Sequence, residues 1–195
     1  MLVLFSADGS ALEDPSWSFD GQLLAFAQTN PDTGADIWVL PIGEEPTPFL
    51  VTEADELTPR FSPDDRFIVY QSNESGENEI YVRPFPGPGG KWKVSDEGGT
   101  EPAWSRDGRE LFYRHGRDLM VVDVDVESGD RFDPGRPRRL FSGDFRQDLS
   151  GHASYDVSPD GQSFVMIQES RDEPLTEIHI VLNWFDELER LVPTN

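Results

Sequence analysis

The chain has 195 residues, with 16 Lys or Arg against 38 Asp or Glu, which gives a formal net charge of −22. A surface this acidic repels nucleic acid phosphates and anionic membranes, so neither is expected as a partner. Its hydrophobic content of 36% supports a globular core, and it has no cysteine, which excludes disulfides, thiolate-bound metals and a Cys nucleophile.

The chain begins with a short apolar segment at residues 1–5. The segment lacks a basic flank and is far shorter than a signal peptide or the ~20 apolar residues of a membrane span. We therefore expect no membrane insertion by this segment. The compartment stays open, either cytoplasmic or extracytoplasmic as part of a longer protein. Residues 2–5 are expected to form an outer strand or an edge.

One seven-residue motif recurs four times and divides the chain into units. Each copy combines a large apolar residue, a Ser and an Asp, and the copies span residues 15–21, 59–65, 102–108 and 155–161. The motif serines Ser18, Ser62, Ser105 and Ser158 are 44, 43 and 53 residues apart. A repeat of about 40–45 residues that is rich in short strands is typical of a β-propeller blade.

Short segments of β-branched and aromatic residues flank each copy and are separated by Gly, Pro, Asn and Asp, as in antiparallel meanders. The sequence therefore predicts an all-β fold over residues 1–195, a single propeller domain or propeller fragment of about four four-stranded antiparallel blades. The blades are expected near residues 15–52, 57–95, 100–142 and 153–183.

The third unit is longer than the others, and the end of the chain changes character. The additional residues of the third unit fall in 127–137 and 142–152, which we interpret as surface loops and variable binding elements. Beyond the fourth unit, apolar residues recur on one helical face until Pro193. A short C-terminal helix is therefore predicted over residues 184–192.

Each position of the motif has a predicted structural role. The Asp is expected to accept hydrogen bonds from backbone N–H groups of the turn, at Asp20, Asp64, Asp107 and Asp160. The Gly supplies a positive φ, and because Asp65 replaces it in the second copy, that turn is expected to be strained or differently shaped. The large apolar residues are expected to end the innermost strands and pack between blades; they are Trp17, Phe61, Trp104 and Val157.

An ordered set of further segments accompanies the repeated turns, at residues 79–86, 91–102, 109–113, 137–141, 155–162 and 183–188. With these segments the sequence resembles the TolB-like, WD-type β-propellers found at the C-terminus of many bacterial serine/threonine protein kinases, over nearly the whole chain. The resemblance implies a parent of roughly six to eight blades, of which this chain supplies about four.

The number of blades bears on whether the ring closes. Four blades of a larger propeller would leave the apolar flanks of the first and last blades in water. We therefore expect an open arc that is prone to self-association. The alternative is a closed four-bladed ring in which residues 2–5 complete the fourth blade.

The sequence shows no catalytic constellation. It contains no glycine-rich phosphate loop, His-Arg-Asp segment or Asp-Phe-Gly triplet of a kinase domain. His115, His152 and His179 lack the short spacing of a local metal site. Ser150 and His152 invite a hydrolase triad, but the chain has no Gly-x-Ser-x-Gly elbow, so we interpret them as loop residues.

Two further patterns have a structural and a functional interpretation. Four carboxylates invite a calcium site, but no ordered calcium loop surrounds them, so a solvated strand face is favoured; they are Asp118, Asp123, Asp125 and Asp130. A stripe of aromatic and aliphatic residues recurs at the same place in two units, which favours packing between sheets over ligand stacking; it comprises Ile37, Trp38, Ile80 and Tyr81.

The sequence therefore predicts a non-catalytic platform that binds a protein or peptide on one propeller face, as the sensory or docking part of a bacterial serine/threonine kinase. No catalytic, cofactor-binding or metal-binding residue is predicted, and no cofactor is required. The negative charge is compatible with a basic partner, although a role in solubility is favoured. The alternative is the accessory propeller of a hydrolase such as a peptidase, or a saccharide-binding or lyase propeller. A cluster of His and acidic residues at the central channel would favour this last class.

Overall fold

The computed structural model describes residues 11–125, 131–147, 152–168 and 179–181. Within these ranges every regular element is a β-strand, and the strands form four antiparallel sheets. The described part contains no helix of the length and apolar character needed to cross a membrane. The predicted helix at 184–192 and the predicted strand at 2–5 lie outside the described residues.

The four sheets follow one another along the chain and confirm the predicted meander blades. Blade 1 has the strand order β1 (Leu12–Trp17), β2 (Leu23–Asn30), β3 (Gly34–Pro41) and β4 (Thr47–Leu50). Blade 2 repeats it with β5 (Glu56–Phe61), β6 (Phe67–Ser72), β7 (Glu79–Pro84) and β8 (Trp92–Lys93).

Blades 3 and 4 vary this plan. Blade 3 consists of β9 (Thr100–Trp104), β10 (Glu110–His115) and β11 (Asp118–Asp125), followed by β12 (Asp133–Pro134) and β13 (Arg138–Ser142), which both pair with β11. The described part of blade 4 consists of β14 (Tyr155–Val157), β15 (Phe164–Met166) and β16 (His179–Val181).

The two segments predicted to be surface loops of blade 3 are partly built into the structure. In the first segment Phe132 is 2% exposed, and its ring lies 5.4 Å from the rings of Phe67 and Trp92. In the second, Phe145 packs on Phe141 and forms a β-bridge to blade 4. The prediction of surface loops was wrong at these places because each segment carries a Phe whose burial stabilises the folded state.

The innermost strand of three blades has an irregularity that the motif did not predict. The pairing register shifts in β1, β5 and β9, and the residue at each shift has a positive φ of 52 to 54°. These residues, Asp14, Thr58 and Glu101, each precede a proline. Since proline has no N–H for the ladder, the bulge lets the strand continue past it.

The apolar motif residues end the innermost strands as predicted, and three of the four pack between blades. Phe61 joins the core of blade 1, Trp104 packs on that of blade 2 and Val157 on that of blade 3. Trp17 is an exception at 54% exposed. The pattern explains it: each residue packs on the preceding blade, and within the described residues no blade precedes the first.

The outer flanks of the first and last blades differ. On blade 4, Val165 and Ile167 are each 40% exposed on the face opposite the blade 3 interface. On blade 1, Phe26 and Leu40 alternate with the residues that face blade 2, yet they are buried. Ring closure and self-association therefore stay predictions.

Candidate functional site

The repeated turns share one hydrogen-bond network, which confirms the predicted role of the motif Asp residues. The Ser hydroxyl donates to Asp Oδ1 at 2.7, 2.6, 2.8 and 2.5 Å in the pairs Ser18–Asp20, Ser62–Asp64, Ser105–Asp107 and Ser158–Asp160. The same Oδ1 accepts a backbone N–H two residues further on. These bonds, that from the Ser hydroxyl first, hold the pKa of Asp107 and Asp160 below the ordinary value.

Asp65 links two of these turns. Its φ of 57° lies in the left-handed region, near the 71° and 72° of Gly21 and Gly108 at the same motif position, so the turn keeps its shape and carries the strain. Its carboxylate accepts backbone N–H groups from Phe19, at 2.6 Å, and from Asp20, at 3.2 Å. The second turn thereby holds the first, which presents the Phe19 ring at 68% exposure.

A cavity of about 280 Å³ lies where the turns and the ends of the innermost strands meet, and we call it the channel mouth. All four blades line it: blade 1 with Trp17 and Phe19, blade 2 with Arg60, Phe61, Ser62 and Pro63, blade 3 with Ala103, Trp104, Ser105 and Arg106, and blade 4 with Asp156. Aromatic surface and positive charge thus meet here within a strongly acidic protein.

Arg60 is fixed at the channel mouth by backbone contacts. Its Nη1 donates to the carbonyl oxygens of Asp14, at 3.1 Å, and Pro59, at 3.0 Å. Burial lowers the pKa of the guanidinium, and the negative charge of Asp14 opposes this effect. Trp104 Nε1 donates to the backbone carbonyl of Arg60 at 3.3 Å, so hydrogen bonds of this one residue join blades 1, 2 and 3.

A larger cavity of about 890 Å³ runs outward between blades 2 and 3, and we call it the blade 2–3 groove. It shares Ser62, Pro63, Trp104 and Arg106 with the channel mouth. Its lining includes five carboxylates, from Asp64, Asp107, Asp123, Asp125 and Asp133, and two guanidinium groups, from Arg106 and Arg109. The groove is therefore negative where the channel mouth is aromatic.

A third group lies at the opposite ends of the innermost strands, away from the turns. One ligand atom each from Glu13, Asp14 and His152 lies within 4.8 Å of the others. In the part of the chain that the structure describes, no other group of three His, Cys, Asp or Glu side chains is this close. Carboxylate and imidazole ligands suit divalent cations such as Mn²⁺ or Zn²⁺. No local sequence signal marks this group, because 138 residues separate Asp14 from His152.

The carboxylates considered for calcium lie mainly on a solvated strand face. Asp123 and Asp125 are exposed on β11, while Val122 and Val124 between and beside them are buried. Asp118 begins the same strand, five residues before Asp123. Asp130 lies outside the described residues.

The other candidates are dispersed. His115 ends β10 and His179 begins β16. Ser150 lies outside the described residues, so the triad with His152 stays untested. The predicted packing stripe belongs to two cores: Ile37 and Tyr81 pack between blades 1 and 2, Ile80 between blades 2 and 3, and Trp38 is half-buried.

Comparison with known proteins supports the fold. No family model matches the chain, and no curated protein matches it. Among solved structures, TolB from Acinetobacter baumannii is 19% identical with a TM-score of 0.68, over 93% of this chain and 43% of that one. An oligogalacturonate lyase in complex with manganese is 13% identical with a TM-score of 0.66, over 93% of this chain and 53% of that one.

A puromycin-hydrolyzing peptidase from Mycobacterium tuberculosis is 21% identical with a TM-score of 0.58, over 90% of this chain and 27% of that one. The chain has a TolB-like β-propeller fold. This chain spans about half the length of the TolB structure and of the oligogalacturonate lyase structure. At these identities the likeness establishes the fold alone.

Proposed function

We propose that the chain is a non-catalytic binding module that takes an extended protein or peptide segment at the channel mouth. Phe19 carries this proposal. Its ring is 68% exposed, although the turn that bears it is held by two hydrogen bonds to Asp65. A large apolar side chain that is fixed in water contributes little to folding, whereas rigid aromatic residues at cavity rims are typical anchors of protein interfaces.

Trp17 and Trp104 extend this aromatic surface, but they do not support the proposal equally. The exposure of Trp17 follows from its place in the first blade, so it supports the proposal less than Phe19 does. Trp104 lines both the channel mouth and the blade 2–3 groove and is fixed through its Nε1. A ligand that covers Phe19 would therefore also contact Trp104.

The chemistry of the channel mouth favours binding over catalysis. Among the described residues that line it there is no His, Cys or Lys. The hydroxyl groups of Ser62 and Ser105 donate to the motif carboxylates Asp64 and Asp107. Each of these carboxylate oxygens also accepts a backbone N–H of its turn, which makes it a weaker base than a free carboxylate and a poor activator of a nucleophile. Because solved structures of similar fold include a lyase and a peptidase, absence of activity stays a prediction.

The wider context of this module is also a proposal. The resemblance to propellers at the C-terminus of bacterial serine/threonine kinases, together with the chain covering about half of similar solved structures, supports a role as the docking part of a larger protein. In that context the channel mouth would recognise a substrate or regulator for the catalytic part.

A displayed library of random peptides of about ten residues tests the proposal, since an extended segment of that length would cross the channel mouth and its rim. We expect selected peptides to bind the wild-type protein and to bind the Phe19→Ala variant about tenfold more weakly, as at an interface anchor. The exposed Val51→Ala and Ile42→Ala changes, which remove apolar surface elsewhere, serve as controls. Equal binding by the Phe19→Ala variant, or no selected peptide, would contradict the proposal.

A second candidate function is a metal-dependent saccharide lyase, favoured by the group of Glu13, Asp14 and His152. The solved lyase of similar fold is in complex with manganese, although its identity to this chain is only 13%. An assay of the purified protein with oligogalacturonate and Mn²⁺ separates the two candidates. We expect no turnover; turnover that is lost on His152→Ala would establish the second candidate.

A further inference from the structure

We propose that the segment bound at the channel mouth is basic and that it continues into the blade 2–3 groove, where its Arg or Lys side chains meet Asp123, Asp125 and Asp133. This inference rests on the proposed function, because it identifies the chemistry of the ligand for that site. The two cavities share four lining residues, so one extended chain can occupy both. The groove volume of about 890 Å³ is within the range of ligand-binding pockets.

The groove also has apolar lining residues, which could hold a bound peptide while the groove carboxylates stay available to its basic side chains. Trp104 and Pro63 lie where the groove meets the channel mouth, and Val124 and Pro134 lie further out. These residues offer contacts to the aliphatic stems of long basic side chains, whose charged ends would then reach the carboxylates. An extended peptide with basic and apolar residues fits this arrangement.

Strand register gives an independent reason to expect a cation. Asp125 of β11 pairs directly with Asp133 of β12. Like charges directly opposite each other on neighbouring strands are destabilising. The repulsion between the two carboxylates destabilises the free protein. A guanidinium or ammonium group placed between them would turn the net electrostatic interaction at this pair from repulsive to attractive. Arg131 lies 3.7 Å from Asp133, with both side chains about two-thirds exposed, and such pairs contribute little.

The other carboxylates of the groove are engaged differently. Asp64 and Asp107 are held by the motif serines, and Arg66 Nε lies 2.8 Å from Asp64. Within the described residues, the one ion pair of Asp123 is a long contact of 3.5 Å with Arg138, and the Asp123 side chain is 74% exposed. The outer end of the groove thus presents carboxylates whose charge is weakly compensated, which repels acidic peptides, phosphates and uronic acid saccharides.

Three synthetic peptide pools of about ten residues test the inference, with the same apolar residues and with Arg/Lys, Ser/Gln or Asp/Glu at the remaining positions. Binding is measured by fluorescence anisotropy at about 50 and about 300 mM NaCl, because salt screens exposed charges. We expect the basic pool to bind at least about tenfold more tightly than the other two, with the difference reduced at high salt.

Variants locate the charge effect. The Asp123→Asn/Asp125→Asn/Asp133→Asn protein is expected to bind the basic pool about tenfold more weakly. The matched control, Asp32→Asn/Glu44→Gln/Glu45→Gln, removes the same charge from exposed positions outside the groove and is expected to bind as the wild type does. Thermal unfolding verifies that both variants are folded; because repulsion between Asp125 and Asp133 is removed, the groove variant is expected to be at least as stable as wild type.

The outcomes separate this inference from the proposed function. Equal binding of the basic and neutral pools, or equal weakening by the two triple variants, would overturn the inference. If the pools still depended on Phe19 in that case, the proposed function would stand without it. Loss of the Phe19 dependence would instead contradict the proposed function.

Discussion

The Asp65 carboxylate in blade 2 accepts a hydrogen bond of 2.6 Å from the backbone N–H of Phe19 in blade 1, across 46 residues of sequence. Asp65 occupies a motif position that is Gly in the other three copies, and it adopts the left-handed φ that Gly adopts there. A strained residue is thus retained where its side chain fixes a neighbouring turn. The fixed turn carries the most exposed aromatic side chain among the described residues.

Replacement of Asp65 by Gly tests this relationship. The change relieves backbone strain of about 1 kcal/mol, but it removes two hydrogen bonds to a charged acceptor, which together contribute more. We expect a net loss of about 1 kcal/mol in the free energy of unfolding and weaker peptide binding. Denaturant titration measures the first, with Asp65→Asn as a control that keeps an acceptor oxygen. A glycine variant that is more stable than wild type would contradict this account, because it would show that the two hydrogen bonds contribute less than the backbone strain costs.

The motif carboxylates provide a second prediction. Asp107→Ala removes the acceptor of the Ser hydroxyl and of a backbone N–H, and we expect a loss of about 1 kcal/mol in the free energy of unfolding. Asp160→Ala removes the equivalent bonds and is expected to lower the free energy of unfolding in the same direction. The exposed Asp32→Ala serves as a control. Loss of peptide binding with unchanged stability would instead assign these residues to the ligand.

Buried Glu56 predicts how stability depends on pH. Burial raises the pKa of this carboxyl from 4.5 to about 7, the hydrogen bond from Thr52 opposes the rise, and the negative charge of buried Asp36 adds to it. Because the folded state binds the proton more tightly, the contribution to stability is full below about pH 4.5 and is lost as the pH rises through about 7.

The urea midpoint of the wild type should therefore fall between about pH 5 and pH 8, and the Glu56→Gln variant should lack this part of the slope. The exposed Glu44→Gln variant is the control. Parallel pH profiles for wild type and Glu56→Gln would contradict the assignment.

The apolar residues exposed on blade 4 lead us to expect self-association. Sedimentation of the wild type should show concentration-dependent association, because Val165 and Ile167 present apolar surface there. Lys at both positions should leave a monomer, whereas Val51→Lys, also at an exposed apolar residue, should not. A compact monomer at every concentration of the wild type would favour the closed ring.

The sequence was most informative where the determining contacts are local. The Ser and Asp of each turn bond within five residues, so one motif predicts four turns and the strand ends beside them. By contrast, the residue before a proline ordinarily avoids a positive φ, so local preference does not predict the left-handed backbone of Asp14, Thr58 and Glu101, even though the prolines account for the bulges themselves. There the packing of the innermost strands overrides local preference.

The missed features depend on distant residues. The bond from Asp65 to blade 1, the burial of Phe132 between blades 2 and 3, and the approach of His152 to Glu13 each join parts of different blades. A repeat pattern predicts how many blades there are. It does not predict how neighbouring blades are oriented, and therefore not which side chains meet between them. The candidate site is therefore largely a product of the tertiary structure.

The location of a bound peptide tests the central claim most directly. A selected peptide that carries a photoreactive residue is crosslinked to the protein, and the attached residues are identified by mass spectrometry. Binding at the channel mouth predicts crosslinks to Phe19, Pro63 and Trp104. Crosslinks confined to the opposite ends of the innermost strands, at Glu13, Asp14 and His152, would contradict it.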